Sequence, residues 1–359
     1  MEKVFIALAT CNGASYLKPL LESVRRQSHS AWTLLARDDR SSDATAEILR
    51  RTAAEDRRIV LLEDDLGRLG PAANFGLLMR HALERGAEYL LFADQDDVWQ
   101  PDKVDGQLRL MRDRQRVQGE HTPQLVYSDL RVVDAQTRTI HPSFLRAARL
   151  GHGEGRPLRT LLGRSFVLGC ACLINRPLLQ FALPVPPDVA SHDWWVALCG
   201  AAVGWIFYLP KPTLSYRRHG NNASGSASLW AGLNPLRHPW QKRWESGLTS
   251  FRRSLAQAES LRQRLHDRAP SGAAEDTLVL EQFCGPVPAA ESGLAAGRAV
   301  VPPGHPGHRP APAAALLPLR SDACTRWKSW KWASRLWSEV DSIQLAWMES
   351  RPLGQELRK

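Results

Sequence analysis

The stretch YLLFADQDDVWQPDKV, residues 89–104, ends a run of apolar residues with three carboxylates, Asp94, Asp96 and Asp97. A short apolar run bounded by polar residues predicts a buried strand, so the carboxylates should lie at its carboxyl end. Like charges a few ångströms apart repel one another. Such a cluster therefore needs solvent, cationic side chains or a metal ion beside it.

Three strand–helix units precede this cluster. Strands that alternate with helices predict a parallel, doubly wound sheet, whose ligands bind beyond the carboxyl ends of the strands. The predicted strands are VFIALAT (4–10), WTLLARDD (32–39) and RIVLLED (58–64). The first predicted helix carries Leu17, Leu20, Leu21 and Val24 on one face, the second begins at a cap on Ser41 or Ser42, and the third begins near Pro71.

Residues after 116 predict a less regular second half of the same domain. Apolar runs predict further strands there, and one helix follows a polar start. The predicted elements are strands QLVYSDLRVV (124–133) and SFVLGCACLI (165–174), a helix in ASHDWWVALCGAAVG (190–204), and a closing pair of strands, WIFYLP (205–210) and TLSYRR (213–218).

The C-terminal part is basic and rich in tryptophan. The formal net charge is +10, and residues 211–359 hold 21 Lys and Arg against 12 Asp and Glu. Eight of the 13 tryptophans lie beyond residue 229. Amphipathic rings beside cations suit an anionic membrane surface, which is the predicted partner, whereas no motif predicts a nucleic-acid partner.

Three segments are predicted in this C-terminal part: a basic amphipathic helical extension (226–283), a Pro/Ala/Gly-rich linker (284–320) and a Trp/Arg-rich tail (321–359). The composition of the linker cannot build a core. A disordered linker and a frameshift in the gene are the two explanations that the sequence leaves open.

The chain carries no apolar stretch of 18 residues, and its N-terminus has too short an apolar run for a secretory signal. The predicted location is therefore the cytoplasm, with peripheral attachment to the inner face of the cytoplasmic membrane. The six cysteines lack C-x-x-C pairs and are predicted to be reduced thiols without a metal.

The carboxylate cluster has a spacing suited to a divalent cation. Asp94 and Asp96 flank Gln95 as D-x-D, so both can address one Mg2+ or Mn2+ ion, which would stabilise a departing diphosphate as a Lewis acid. An isolated D-x-D is more often a solvated strand end. Asp39 follows the second strand and can accept the imide N–H of uracil or thymine. Because this group suits a nucleotide, whose diphosphate a cation would hold, Asp39 favours the cation hypothesis. Helix capping is the alternative, and is kept for Asp43.

Two later clusters supply candidates for a general base and a third cation ligand. Asp193 lies beside two tryptophans in SHDWWVAL, and partial desolvation raises the proton affinity of a carboxylate as a base requires. A helix cap is the alternative role. In SYRRHGNN (215–222), His219 is a candidate ligand and the arginines are candidate phosphate contacts, with a polar turn as the alternative.

Eight separated motifs resemble glycosyltransferase family 2, especially bacterial members similar to the rhamnosyltransferases of surface-polysaccharide assembly. The resemblance covers roughly residues 3–225 and is specific because all eight motifs occur in order. The motifs are TCNGASYL, RDDRSSDAT, GPAANFG, FADQDDVWQPDKV, YSD, GC, HDWW and YRRHGNN.

This resemblance implies an α/β fold of the A type (GT-A), a Rossmann-like, mostly parallel central sheet with helices on both faces. Residues 1–225 would be the transferase domain, with a nucleotide-sugar-binding half (1–116) and an acceptor-binding half (117–225). The implied reaction is an inverting, metal-dependent transfer of a sugar, with rhamnose as one candidate. The donor would be a dTDP- or UDP-linked sugar, and the acceptor a hydroxyl of a lipid-linked surface glycan.

The resemblance also implies roles for individual residues. Relatives commonly have glycine where Arg40 stands and glutamate where Ala14 stands. The implied site comprises Thr10, Asp39, Asn74 and Asp94 at the nucleotide sugar, Asp96 with Asp94 and His219 at Mg2+ or Mn2+, and Asp193 as the base that deprotonates the acceptor.

Two other functions stay open at this stage. A haloacid-dehalogenase-like phosphohydrolase would use Asp94 as nucleophile, because DQDDV also fits D-x-D-x-[TV]. That class carries its motif on the first strand of the core, whereas three strand–helix units precede it here. The second alternative is a non-catalytic module that binds nucleotide sugars at a membrane.

Overall fold

A computed structural model describes residues 2–148, 157–219, 240–268 and 274–284 of this chain. Within these ranges the strands form one nine-stranded sheet. They are β1 (Val4–Thr10), β2 (Trp32–Asp38), β3 (Ile59–Leu61), β4 (Tyr89–Asp94), β5 (Val98–Trp99), β6 (Gln124–Val133), β7 (Thr139–His141), β8 (Cys172–Asn175) and β9 (Trp205–Arg217).

The sheet has the order β3-β2-β1-β4-β8-β6-β9-β5, with β7 beside β6. Strands β1 to β4 pair with one another in parallel, and β6 pairs with β9 in parallel. Because β8 is antiparallel to both β4 and β6, the strands β6 and β9 point the same way as β1 to β4. The predicted α/β class with a mostly parallel central sheet is therefore confirmed.

Helices pack against this sheet and connect its strands. Helix α3 packs on β1 and β2, and α4 packs on β6, β8 and β9. The helices are α1 (Ala14–Arg25), α2 (Thr45–Glu55), α3 (Pro71–Glu84), α4 (Lys103–Gln118), α5 (Phe144–Ala147), α6 (Pro157–Gly163), α7 (Arg176–Ala182), α8 (His192–Val203), α9 (Trp240–Arg268) and α10 (Ala274–Cys284).

The central strands are buried almost throughout, as parallel strands covered by helices usually are. In β1 only Ala9 is partly exposed, and in β4 only Asp94, the last residue, is. Each fully buried Leu, Ile or Phe side chain stabilises the fold by about 1.5–3 kcal/mol. The apolar runs therefore fix the middle of the sheet, and the polar residues at their ends are left at one edge.

Helix α2 begins later than the sequence predicted. It starts at Thr45, because the backbone N–H and the hydroxyl of Ser41 donate to Asp38 instead of capping a helix, at 2.8 and 2.6 Å. The capping role kept for Asp43 fits the structure, since its carboxylate accepts the N–H groups of Thr45 and Ala14, at 3.0 and 3.1 Å.

Two strand predictions in the second half were also wrong. The stretch 165–174 contains a short 3-10 turn, Gly169–Ala171, and only its end belongs to β8. The expected closing pair is one continuous strand, β9. Its two prolines, Pro210 and Pro212, fall where the pairing with β6 shifts register. A residue without an N–H is tolerated at such an irregularity, so the prolines do not end the strand.

The predicted C-terminal helical extension is present as α9 and α10, which pack on each other and on α6. Residues Met1–Cys284 form one compact unit that includes both helices. None of the helices in the described ranges is long and apolar enough to cross a lipid bilayer. The end of the predicted acceptor-binding half (220–225), nearly all of the predicted linker (285–320) and the tail (321–359) lie outside the described residues.

The turn between α8 and β9 should tolerate only glycine. A Cβ on Gly204 would lie 1.9 Å from the backbone oxygen of Pro123, to which Trp205 donates its N–H. We expect Gly204→Ala to lower the free energy of unfolding by about 1–3 kcal/mol, as overpacking does. Gly163→Ala is the matched control, since nothing lies within 4 Å of its Cβ position. Thermal melts of both variants that coincide with the parent would contradict this packing.

Candidate active site

The carboxyl ends of β1, β2 and β4 lie side by side at one edge of the sheet. Thr10 is paired with Asp38 in the strand register, and Ala9 is paired with Asp94. The Thr10 side chain is buried, and its hydroxyl donates to the Asp38 carboxylate at 2.9 Å. The expected convergence of these strand ends is therefore present, while a contact of Thr10 with a donor stays a prediction.

Asp39 is buried at this edge, and three groups donate to its carboxylate. Oδ1 accepts from the Arg37 guanidinium at 2.9 Å and from the Leu69 N–H at 2.7 Å, and Oδ2 accepts from the Gly70 N–H at 2.8 Å. A carboxylate oxygen has about two acceptor positions. Oδ2 therefore keeps one position for the N–H of a base, and the base-binding role of Asp39 stays a prediction.

Arg37, which the sequence analysis missed, connects this edge to the loop between β3 and α3. It is buried and donates to both carboxylate oxygens of Asp64, at 2.7 and 2.9 Å, and to the Gly67 carbonyl at 2.9 Å. The Arg37 hydrogen bonds hold the pKa of Asp64 down at about 2. Asn74 is buried nearby and makes a long 3.5 Å hydrogen bond to the Arg37 carbonyl, so its donor contact stays a prediction.

The backbone conformation at Arg40 is unusual for a residue with a side chain. Arg40 has φ 59°, in the left-handed region that glycine adopts without strain. For other L-residues this conformation costs roughly 1–2 kcal/mol. The Arg40 guanidinium donates to the Asp64 carbonyl at 3.3 Å and lies 3.8 Å from the Asp65 carboxylate. Arg40 therefore contacts the exposed side of the loop between β3 and α3, whereas the buried Arg37 binds the same loop from the protein interior.

Gln95, the middle residue of the D-x-D, holds the loop between β1 and α1. Its amide accepts the Cys11 N–H and donates to the Cys11 carbonyl, both at 2.9 Å. A Cβ on Gly13 would lie 2.2 Å from the Gln95 side-chain oxygen, so glycine is needed for this approach. The D-x-D turn and the first loop therefore form one connected wall. No pattern within either segment predicts this contact, because its partners are 84 residues apart.

Asp96 and His219 form the best candidate pair of cation ligands. The Asp96 Oδ2 and His219 Nε2 atoms are 2.8 Å apart. Adjacent ligands of an octahedral cation with bonds of ~2.1 Å lie about 3.0 Å apart, so this pair fits one edge of such a site. The His219 ring stacks on Tyr16, with centroids 4.5 Å apart, and Arg217 donates to the Asp96 carbonyl at 3.0 Å.

The Asp94 carboxyl lies in the same acidic pocket. Burial raises its pKa to about 7, and the negative charges of Asp96 and Asp193 add to this effect. Asp96 and Asp193 therefore lie close enough to Asp94 for their negative charges to act on it. Asp94 should therefore hold a proton near neutral pH until a cation compensates the negative charge.

Behind Asp94 lies a second acidic group that the sequence analysis left without a role. Asp97 is fully buried, and the Cys170 thiol lies beside its carboxylate. Burial raises its pKa well above the usual value. The buried Lys103 attracts it, and burial lowers the pKa of Lys103 to about 8. Ligand atoms of Asp94, Asp97 and Cys170 lie within 4.8 Å of one another.

Asp193 is the second residue of α8, and backbone groups hold its carboxylate. Oδ2 accepts the Gly169 N–H and Oδ1 accepts the Trp194 N–H, both at 2.8 Å. A Cβ on Gly169 would lie 3.1 Å from the Asp193 Cβ and 3.0 Å from His192 Nε2. The neighbouring His192 is stacked on Phe75, 3.8 Å between centroids, and burial lowers its pKa. The turn at Gly169 thus holds the Asp193 carboxylate through a backbone N–H.

Comparison with known proteins supports a common origin for this part of the chain. Residues 5–178 match the family model Glycosyl transferase family 2. The dTDP-rhamnosyl transferase RfbG of Shigella flexneri is 25% identical over 249 residues, which cover 66% of this chain and 81% of that protein. An uncharacterized glycosyltransferase of Nostoc sp., alr2836, is 26% identical over 232 residues and covers 63% and 68%.

Among solved structures, one mannosyltransferase is similar to this chain at low sequence identity. The mannosyltransferase PcManGT of Pyrobaculum calidifontis, in complex with GDP-Man and Mn2+, has a TM-score of 0.48 at 17% identity. The alignment covers 77% of this chain and 83% of that one.

The raised pKa of Asp94 should make cation binding pH-dependent. Because Asp94 is protonated below about 7, a cation must displace a proton there, and affinity should fall by up to about tenfold per pH unit below that value. Titration calorimetry with Mn2+ at several pH values measures this slope. Asp94→Asn should flatten the slope, which separates Asp94 from His219. Equal Mn2+ affinity on both sides of neutral pH would contradict the assigned pocket.

Proposed function

We propose that this chain, whose residues 5–178 form a glycosyltransferase family 2 domain, is an inverting, metal-dependent glycosyltransferase of surface-glycan assembly. The GT-A class and the resemblance inferred from the eight motifs are confirmed by the family match and the sheet. One observation carries the finer proposal: at the strand-end edge where Asp94 ends β4, the Asp96 carboxylate lies 2.8 Å from the Nε2 atom of His219.

The proposed donor is a nucleoside-diphosphate sugar, with dTDP-rhamnose as the first candidate and UDP sugars as the next. The name of the relative RfbG, a dTDP-rhamnosyl transferase, supports this order. Asp39 would accept the imide N–H of the pyrimidine at its remaining acceptor position. Thr10, Asn74 and Asp94 would line the nucleotide sugar from the ends of β1, α3 and β4.

The proposed ligands of a Mg2+ or Mn2+ ion are Asp96, Asp94 and His219. When bound, the cation stabilises the negative charge of the departing diphosphate as a Lewis acid. Asp96 contributes a carboxylate oxygen, the ligand type that both ions prefer. His219 is kept in place by its stacking on Tyr16, so it can stay beside Asp96 without further rearrangement.

Asp193 would act as the general base. Each of its oxygens accepts one backbone N–H, which fixes the carboxylate and leaves acceptor positions for a sugar hydroxyl. As the hydroxyl oxygen attacks the anomeric carbon, its proton passes to Asp193, and the bond to the diphosphate breaks on the opposite face. The configuration at that carbon is therefore inverted. The phosphohydrolase alternative is disfavoured, since Asp94 lies on the fourth strand and three strand–helix units precede it.

The proposed acceptor is a lipid-linked glycan at the inner face of the cytoplasmic membrane. The basic excess of residues 211–359, 21 Lys and Arg against 12 Asp and Glu, supports attraction to anionic lipid. In the described part of this region, Arg252 and Arg253 of α9 are exposed and available to such a surface.

Replacing the proposed base should separate catalysis from donor binding. We expect Asp193→Asn to lower turnover by at least ~100-fold, in line with general-base contributions. Donor affinity should stay the same, because the amide keeps the shape of the carboxylate. Thermal-shift screening of dTDP, UDP and GDP sugars with and without Mn2+ identifies the donor, and product formation then gives turnover. Turnover equal to that of the parent would remove Asp193 from this role.

Membrane attachment is tested by flotation with anionic liposomes. Each cation near such a surface contributes about 1 kcal/mol, so Arg252→Glu with Arg253→Glu should weaken binding by at least about tenfold. Arg50→Glu with Arg51→Glu on α2 is the matched control for charge reversal. Removal of the whole extension is unsuitable, because α9 packs on α6 and α8. Equal flotation of both double variants would exclude α9 as the contact.

A further inference from the structure

Helix α9 lies against the segment that leads into the proposed base. This segment, residues 181–191, contains the end of α7 and the connection to α8, whose second residue is Asp193. The family match ends at residue 178 and includes none of it. Side chains of α9 contact the segment at both of its ends.

At the first end, side-chain donors reach four consecutive carbonyl groups, those of the last two residues of α7 and of the two residues that follow the helix. A helix cannot satisfy its own last carbonyls, and cations are favourable at that end. Arg264 donates to the carbonyls of Phe181 and Pro184, at 2.8 and 2.6 Å. Arg268 donates to the Leu183 carbonyl at 2.9 Å, and the Trp195 indole donates to the Ala182 carbonyl at 2.8 Å.

Arg264 also contacts α8 directly. Its guanidinium lies over the Trp195 ring, 5.0 Å from the centroid, and Trp195 is fully buried. Trp195 is two residues after Asp193, in the first turn of α8, and its backbone N–H donates to the Ser191 carbonyl at 3.1 Å. One arginine therefore touches both the end of α7 and the first turn of α8.

At the second end, Gln257 of α9 holds the backbone just before α8. Its side-chain oxygen accepts the N–H of Ala190 at 3.3 Å, and the side chain is fully buried. The connection is thus attached to α9 at residues 181–184 and again at residue 190. Since α9 is a continuous helix between Gln257 and Arg268, these attachments have a fixed spacing.

The position of the Asp193 carboxylate depends on this backbone. Its two hydrogen bonds within the described residues come from the N–H groups of Gly169 and Trp194, so the carboxylate moves with the start of α8. Misplacement of a reacting group by about 1 Å can cost about 100-fold in rate. A contact that fixes the first turn of α8 therefore affects the transfer step without touching a substrate.

We propose that Arg264 is a positioning residue for Asp193. Helix α9 then supports the catalytic site in addition to its proposed contact with lipid. This inference rests on the proposed function, because it assigns Arg264 an effect on the base. The charged hydrogen bonds to the end of α7 and the contact with Trp195 keep the first turn of α8 against Gly169. The base then stays aimed at the acceptor.

The test compares Arg264→Met, Arg264→Lys and Arg262→Met in the full chain. Methionine keeps apolar packing on Trp195 but donates to no carbonyl, and lysine keeps one charged donor. Arg262 is the matched control, since on the same helix it pairs with the exposed Glu259 at 2.6 Å, and such an ion pair contributes little. The measurements are kcat and KM for the acceptor, the affinity for the donor nucleotide with Mn2+, and hydrogen exchange of residues 165–175 and 189–197.

We expect Arg264→Met to lower kcat by ~10–100-fold with donor affinity within about twofold of the parent. Hydrogen exchange in both segments should become faster, Arg264→Lys should recover part of the loss, and Arg262→Met should match the parent. The proposal would be overturned if the kcat of Arg264→Met, calculated per molecule that binds the donor, equalled that of the parent. A donor affinity that falls in step with kcat would also overturn it, because the effect would then be loss of folded protein.

Combining Arg264→Met with Asp193→Asn separates this inference from the proposed function. If Arg264 acts through the base, its replacement should cost nothing more once Asp193 is already asparagine. An undiminished loss in the double variant would contradict the positioning role. Full turnover by Asp193→Asn alone would instead remove the proposed base, and absence of any donor binding by the parent would remove the transferase itself.

Discussion

Mutual repulsion between neighbouring carboxylates is the constraint on which this structure depends. The charges of Asp96 and Asp193 act on Asp94 at the end of β4, and Asp97 is fully buried beside Asp94. Several groups offset these charges: His219 beside Asp96, Lys103 near Asp97, and backbone N–H groups on Asp193. Burial and the neighbouring charges raise the pKa of Asp94 to about 7 and that of Asp97 well above its usual value. A bound cation would offset the remaining negative charge.

Contacts between segments that are distant in sequence hold these carboxylates in place. Gln95 holds the first loop from within the D-x-D, and Gly13 leaves room for it. Gly169 brings a backbone N–H to Asp193 where any larger residue would press on it. Arg264 satisfies the end of α7 from the C-terminal extension. Small turn residues and long polar side chains thus keep the acidic groups at fixed places.

The sequence predicted the parts that depend on local pattern. Strands β1 and β4 begin and end where their apolar runs do, and α3 begins at Pro71. The start of α2 was missed because Ser41 bonds to Asp38 rather than capping a helix. The continuity of β9 was missed because the pairing with β6 accommodates its prolines. Both outcomes depend on neighbours that the local sequence does not reveal.

The candidate site likewise contains residues that the local sequence predicts and residues that it does not. Motif order alone pointed to Asp94, Asp96, Asp193 and His219, whereas Gln95, Tyr16, Arg37 and Arg264 act through partners far along the chain. The most direct test of the account is anomalous diffraction from crystals grown with Mn2+ and a pyrimidine nucleoside diphosphate. If Asp96 binds the cation, a manganese peak should lie about 2.2 Å from its carboxylate and contact the diphosphate. A diphosphate bound elsewhere, with no peak beside Asp96, would contradict the account.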